Sequence, residues 1–229
     1  MFKAAIFDLD GTLLDTAPDL AAALNLLLKE EGCERLPLAS VRSMVGRGAV
    51  HMIKQGLAHA GIEIDGALPD HLRTRFLDHY RACCIERTSP FPGAVEALTQ
   101  LKETGHPLAI CTNKSYEVSV AIIEGLNLSH FFAGIIGGDT LAQAKPNAAP
   151  VHAAIDLTGG SLETAIMVGD SLTDIHAAFA AGIPAIAVTF GYTEIPPREL
   201  GADAVIDHFD QLVPTIEQIA GNRGRPTDA

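Results

Sequence analysis

The sequence predicts an α/β fold built on a parallel sheet with helices on both faces. Three observations carry this. Short apolar runs alternate with segments of helical periodicity over most of the chain. The first apolar run ends abruptly in two acids, and one long stretch, from about Thr16 to Thr88, holds no convincing strand.

Ala4 to Phe7 is short and wholly apolar, which reads as a strand buried on both sides that delivers Asp8-Leu9-Asp10-Gly11 into a loop. Similar strands are expected at Leu108 to Cys111, Ala165 to Val168, Ile183 to Val188 and Ala204 to Ile206, with a weaker one at Gly134 to Ile136. Helices are expected between them at Ala94 to Glu103, Tyr116 to Leu126, Ala148 to Asp156, Ile175 to Ala181 and Phe209 to Ile219.

In the strand-free stretch, Thr16 and Asp19 have the spacing of a capping box. Leu20, Leu24, Leu27 and Leu28 follow at helical spacing, and Gly32 marks a stop. A later helix carries Leu72, Phe76 and Tyr80 four positions apart. Gly46-Arg47-Gly48 reads as a break between two helices, and Ser89-Pro90-Phe91-Pro92-Gly93 punctuates the return to alternation. A helical insertion after the first strand sits beside that strand's carboxyl end, where open α/β sheets bind ligands, and so predicts a lid. The polar tail from Gly221 to Ala229 is expected to fray.

Composition narrows the function. The 229 residues carry a formal net charge of −12 and no Trp, so neither a basic nucleic-acid footprint nor a base-stacking platform is expected. A phosphorylated ligand would have to be drawn in by local cations or a metal. The start, Met1-Phe2-Lys3, does not read as a signal peptide, and no apolar run is long enough to span a bilayer. The expectation is a cytoplasmic protein without membrane or nucleic-acid partners. Cys33, Cys83, Cys84 and Cys111 form no C-x-x-C pair and are expected to be buried, reduced thiols.

Asp8 and Asp10 are the first candidates for chemistry. Two residues apart at a strand end, their carboxylates would point the same way and repel unless a hard cation neutralises them. A carboxylate can attack phosphorus, and a second acid can protonate the leaving oxygen. Taken alone, the pair is also compatible with a plain strand-to-turn junction. Thr112, Asn113 and Lys114 follow another strand, where a hydroxyl and successive N–H groups could hold phosphate oxygens, or simply cap a helix. Lys145 precedes Pro146 near a helix start and can neutralise a phosphoryl group, or be an ordinary surface lysine. Asp170 and Asp174 lie one turn apart at a third strand-to-helix junction. There they would complete a carboxylate site for Mg2+ or serve the helix dipole. Nine histidines occur without zinc-binding spacing, and no dinucleotide fingerprint, Walker loop or G-x-S-x-G elbow is present.

Together, Asp8-Leu9-Asp10-Gly11-Thr12-Leu13, Thr112-Asn113-Lys114, Lys145-Pro146 and Gly169-Asp170-Ser171 with Asp174 resemble the haloacid dehalogenase superfamily, in particular its capped phosphatases. The resemblance implies a Rossmann-like core of residues 1–15 and 89–229, with a helical cap of residues 16–88. It implies Asp8 as nucleophile and Asp10 as acid/base that binds Mg2+ through its main-chain carbonyl. It places Thr112 and Lys145 on the phosphoryl group, Asp170 on the metal, and Asp174 behind the metal. Val45-Gly46-Arg47-Gly48 and Thr112-Asn113-Lys114 are similar to the phosphoglycolate phosphatases. The implied partner is a small phosphorylated metabolite, with 2-phosphoglycolate first and Arg47, His51 and Lys54 as candidate substrate contacts. One departure is Asn147-Ala148-Ala149-Pro150, where many relatives carry a proline-rich acidic stretch. Rivals are a dehalogenase, which needs neither Asp10 nor Asp170, a phosphohexomutase-like enzyme, and a non-catalytic binding protein.

Overall fold

The structure, a computed structural model, describes residues 4–193 and 195–223. Met1 to Lys3, Glu194 and most of the expected frayed tail, residues 224–229, lie outside the described residues.

Six parallel strands form the sheet: β1 (Ala4–Phe7), β4 (Leu108–Cys111), β5 (Phe132–Ile136), β6 (Ala165–Gly169), β7 (Ala185–Val188) and β8 (Ala204–Ile206). Their spatial order is β5-β4-β1-β6-β7-β8. β1 is therefore central, and the strand order reverses beside it, the position where α/β sheets open a crevice at their carboxyl ends. Alternate side chains leave on opposite faces. Ala5, Phe7, Ile110, Ile166, Val168 and Ile186 join one buried cluster; Ala4, Ile6, Ala109, Cys111, Met167 and Ala185 join the other. Both faces are thus covered, which is why these strands read as continuous apolar runs.

Four helices lie between the first strand and the return to alternation: α1 (Ala17–Glu30), α2 (Leu38–Arg42), α3 (Ala49–His59) and α4 (Asp70–Cys83). Leu20, Leu24, Leu27 and Leu28 of α1 and Leu72, Phe76 and Tyr80 of α4 are all buried. Each such side chain contributes about 1.5–3 kcal/mol relative to exposure. Gly56 of α3 lets that helix close on Leu24; an added Cβ would stand 3.0 Å from Leu24 Cδ1.

Where the chain leaves and re-enters the sheet, β2 (Leu14–Asp15) pairs antiparallel with β3 (Ser89–Pro90), a two-residue ladder the sequence pattern did not reveal. Beside it, the expected capping box is absent. Thr16 makes no cap bond and instead donates to Asp10 Oδ1 at 2.6 Å. Asp19, fully buried, accepts from Arg87 N, Thr88 N and Thr88 Oγ1. Both residues serve the crossing between helices and sheet, because partners distant in sequence outcompete the local cap. Replacing Asp19 by Ala strands three donors and should cost about 2–4 kcal/mol in urea unfolding. A change below about 0.5 kcal/mol would show that solvent replaces the carboxylate.

The remaining helices are α5 (Ala94–Glu103), α6 (Tyr116–Gly125), α7 (Ala148–Thr158), α8 (Leu172–Ala180) and α9 (Leu212–Arg223). α8 begins three residues earlier than expected, which places Asp174 in its first turn. Ile183, expected to open β7, instead closes α8: Gly182 is left-handed at φ 77°, and Ile183 N reaches back to Ala178 O. Phe209–Gln211 forms a 3-10 turn ahead of α9. Of the cysteines, Cys84 and Cys111 are buried but Cys33 and Cys83 only half-buried, and all four are free. Among the described residues no helix is long and apolar enough to cross a membrane.

Candidate active site

Three strand ends and one loop meet above β1. Asp8 follows β1, Thr112 follows β4, Asp170 follows β6, and Lys145 lies between β5 and α7. Asp8, Thr112, Lys145, Asp170 and Asp174 are all buried, each no more than 5 % exposed. A polar group this buried has to find partners. Lys145 Nζ finds three: Asp8 Oδ1 at 2.7 Å, Asp174 Oδ1 at 2.6 Å and Cys111 O at 2.6 Å. The lysine is therefore no surface residue.

Asp8, Asp170 and Asp174 each offer an oxygen within 4.8 Å of the others. Asp170 is fixed from two sides: Tyr192 N donates to its Oδ2 at 2.7 Å and Thr12 Oγ1 to its Oδ1 at 3.4 Å. A Cβ at Gly11 or Gly191 would overlap this carboxylate. Asp174 Oδ2 accepts from Ser171 N at 3.1 Å and Ser171 Oγ at 2.7 Å, so one carboxylate both caps α8 and holds Lys145.

One ammonium cannot balance three carboxylates. Burial, then the proximity of Asp174 and Asp10, pushes Asp8 up to about 7 despite Lys145. Burial, followed by Asp174 and Asp8, raises Asp170 well above the usual carboxylate range. Although burial opposes its charge, Asp174 and Asp8 hold Lys145 protonated above the ordinary lysine range. The surplus of two carboxylates over cations, made wholly of hard oxygen donors, fits a small divalent ion.

Asp10 departs from expectation. Its carboxylate is not among the three clustered ones. It pairs with Lys114 Nζ at 3.0 Å and accepts from Thr16. The strand ends at Phe7, so the two-residue alternation that would align Asp8 with Asp10 no longer applies.

A cleft of about 330 Å3 opens over these groups. Asp8, Asp10, Thr112, Asn113 and Lys145 form its floor. Met44 to Val50 with Arg73, Phe76 and Tyr80 form the helical side. Asp170 and Asp174 stand outside its lining. Arg47 is exposed in the wall and makes no ion pair among the described residues. His51 and Lys54 are not in the lining, and Lys54 donates instead to the carbonyls of Ile64 and Gly66.

The family model described as haloacid dehalogenase-like hydrolase matches residues 5–188, which hold all the site residues named above except Tyr192 and Gly191. The chain belongs to that family. A phosphoglycolate phosphatase of Caulobacter vibrioides is 47 % identical over 203 residues, 89 % of this chain and 86 % of the relative. Another from Agrobacterium fabrum is 43 % identical, covering 96 % and 94 %. Among solved structures, a predicted phosphoglycolate phosphatase from Haemophilus somnus superposes with a TM-score of 0.87 at 29 % identity, covering 93 % of this chain and 97 % of that one. CbbY from Rhodobacter sphaeroides, in complex with phosphate, gives 0.76 at 25 % identity, covering 93 % and 96 %.

Within this haloacid dehalogenase-like hydrolase, the sequence pattern missed two side chains. Lys114 is buried between Asp10 and Tyr80, 3.0 Å from the Tyr80 hydroxyl and 4.5 Å from the ring centroid. Its place two residues after Thr112 was the available signal. Tyr192 bonds Asp170 through its N–H, donates its hydroxyl to Asp15 at 2.6 Å and accepts from Ala17 N at 3.1 Å. No local pattern marks a tyrosine whose hydroxyl partners lie more than 170 residues away.

Proposed function

We propose that this enzyme is a Mg2+-dependent phosphatase that hydrolyses a small phosphate monoester, 2-phosphoglycolate first, through a phosphorylated Asp8. The observation that carries this reading is Asp8: buried on the cleft floor, 2.7 Å from Lys145 Nζ and clustered with Asp170. The relatives named phosphoglycolate phosphatase support the substrate.

Asp8, Asp170 and the main-chain carbonyl of Asp10 would hold the ion, with Asp174 behind it. When bound, Mg2+ would offset the surplus carboxylate charge and polarise a phosphoryl oxygen. Thr112, the N–H groups after it and Lys145 orient the phosphoryl group and spread its charge. An Asp8 oxygen attacks phosphorus in line, the bond to the leaving oxygen breaks, and Asp10 supplies that oxygen with a proton. Asp10 then takes a proton from water, whose oxygen attacks the phosphorus and releases inorganic phosphate and free Asp8. For this, the Asp10 carboxylate turns from Thr16 and Lys114 towards the leaving oxygen. Residues 16–88 act as a cap over the core of residues 1–15 and 89–229, excluding water during attack. Arg47, on the wall, meets the leaving group.

A panel of phosphate esters assayed with Mg2+ tests the reading. Free phosphate should appear without an added bisphosphate, fastest per enzyme from 2-phosphoglycolate. Preferred turnover of a larger ester would overturn the substrate; dependence on a bisphosphate would overturn hydrolysis.

A further inference from the structure

Asn113 lines the cleft, yet its side-chain amide is spent on main chain. Its Oδ1 accepts from Lys145 N at 3.0 Å, while Nδ2 donates to Lys145 O at 3.1 Å and to Gly46 O at 3.3 Å. The orientation of the amide is consistent with all three partners, since one is a donor and two are acceptors. A single side chain thus pairs with both polar groups of the Lys145 backbone, as a neighbouring strand would in a ladder. Lys145 lies outside any strand, and the next residue, Pro146, has no N–H to offer.

The ammonium of Lys145 is a point charge on a flexible stem, with no directionality of its own. Where it stands depends on where its backbone starts. From that start it must meet Asp8, Asp174 and the Cys111 carbonyl together, all within 2.7 Å. A shift of the loop by a fraction of an ångström would break this constellation. Asn113 is also well anchored: a Cβ at Gly138 would overlap its carbonyl, and Gly138 N bonds Lys114 O at 2.7 Å.

We propose that Asn113 is a positioning residue that acts through Lys145: its amide fixes the backbone from which the ammonium reaches the phosphoryl site, and ties that backbone to the Gly46 loop. The proposal rests on the phosphatase reading of the cleft.

A double-mutant cycle tests it, with the dissociation constant of inorganic phosphate measured by calorimetry on wild type, Asn113→Ala, Lys145→Ala and the double variant. With Lys145 present, Asn113→Ala should weaken phosphate roughly tenfold. In the Lys145→Ala background the same change should cost less than about twofold. Equal losses in both backgrounds would overturn the proposal, because Asn113 would then act on the ligand without the lysine. Failure of the wild type to bind phosphate would remove the phosphatase reading and this inference with it. Should Asn113→Ala not fold, Asn113→Ser carries the same cycle.

Discussion

Turnover of a phosphate monoester should fall to background when divalent cations are stripped with EDTA, and return on adding Mg2+. The reason is charge. Asp8, Asp170 and Asp174 gather oxygens within 4.8 Å of one another, and Lys145 alone stands among them. Without an ion, burial and the nearby Asp174 and Asp10 push Asp8 up to about 7, which disfavours the charged form that the proposed attack needs. A divalent cation held by these carboxylates would reverse both effects and would also stabilise charge on the transferring group, a contribution of about several kcal/mol, or about a thousandfold or more in rate. Ca2+ should substitute poorly, since it takes more ligands at longer distances than Mg2+. Activity unchanged by EDTA would show that Lys145 and loop amides suffice.

Replacing Asp8 by Asn should lower turnover by about 10,000-fold or more while leaving the fold intact. The amide has almost the shape of the carboxylate but lacks its nucleophilicity. The substitution also removes one of the clustered charges, so it relieves repulsion and loses the ion pair with Lys145, while the amide oxygen can still accept from its ammonium; circular dichroism and urea unfolding should remain close to wild type. Residual turnover within about tenfold of wild type would assign the attack to another group.

Much of this site was legible because its residues stand at strand ends, and strand ends can be read from short apolar runs. Asp8, Thr112 and Asp170 each follow such a run directly, and the parallel order of β4, β1 and β6 brings the three ends side by side. Lys145 follows no strand directly; Pro146 and the start of α7 marked it. Illegible were side chains whose direction is decided by distant partners. Thr16 and Asp19 have the spacing of a local cap, yet Asp10, Arg87 and Thr88 claim them. Asp10 was expected to face Asp8 but is drawn off by Lys114, whose ammonium is itself shaped by Tyr80 from the helical insertion. Lys54 was a candidate substrate contact, but the carbonyls of Ile64 and Gly66 after α3 take its ammonium. Periodicity gives the element and its buried face; it gives no information on which of several polar neighbours wins.

The most direct test of Asp8 as nucleophile is an acid quench during turnover of substrate radiolabelled in its phosphoryl group. Label should remain on the protein, map to the peptide carrying Asp8, and be released by hydroxylamine as an acyl phosphate is. Steady hydrolysis with no protein-bound label at any quench time, or label carried equally by Asp8→Asn, would contradict it.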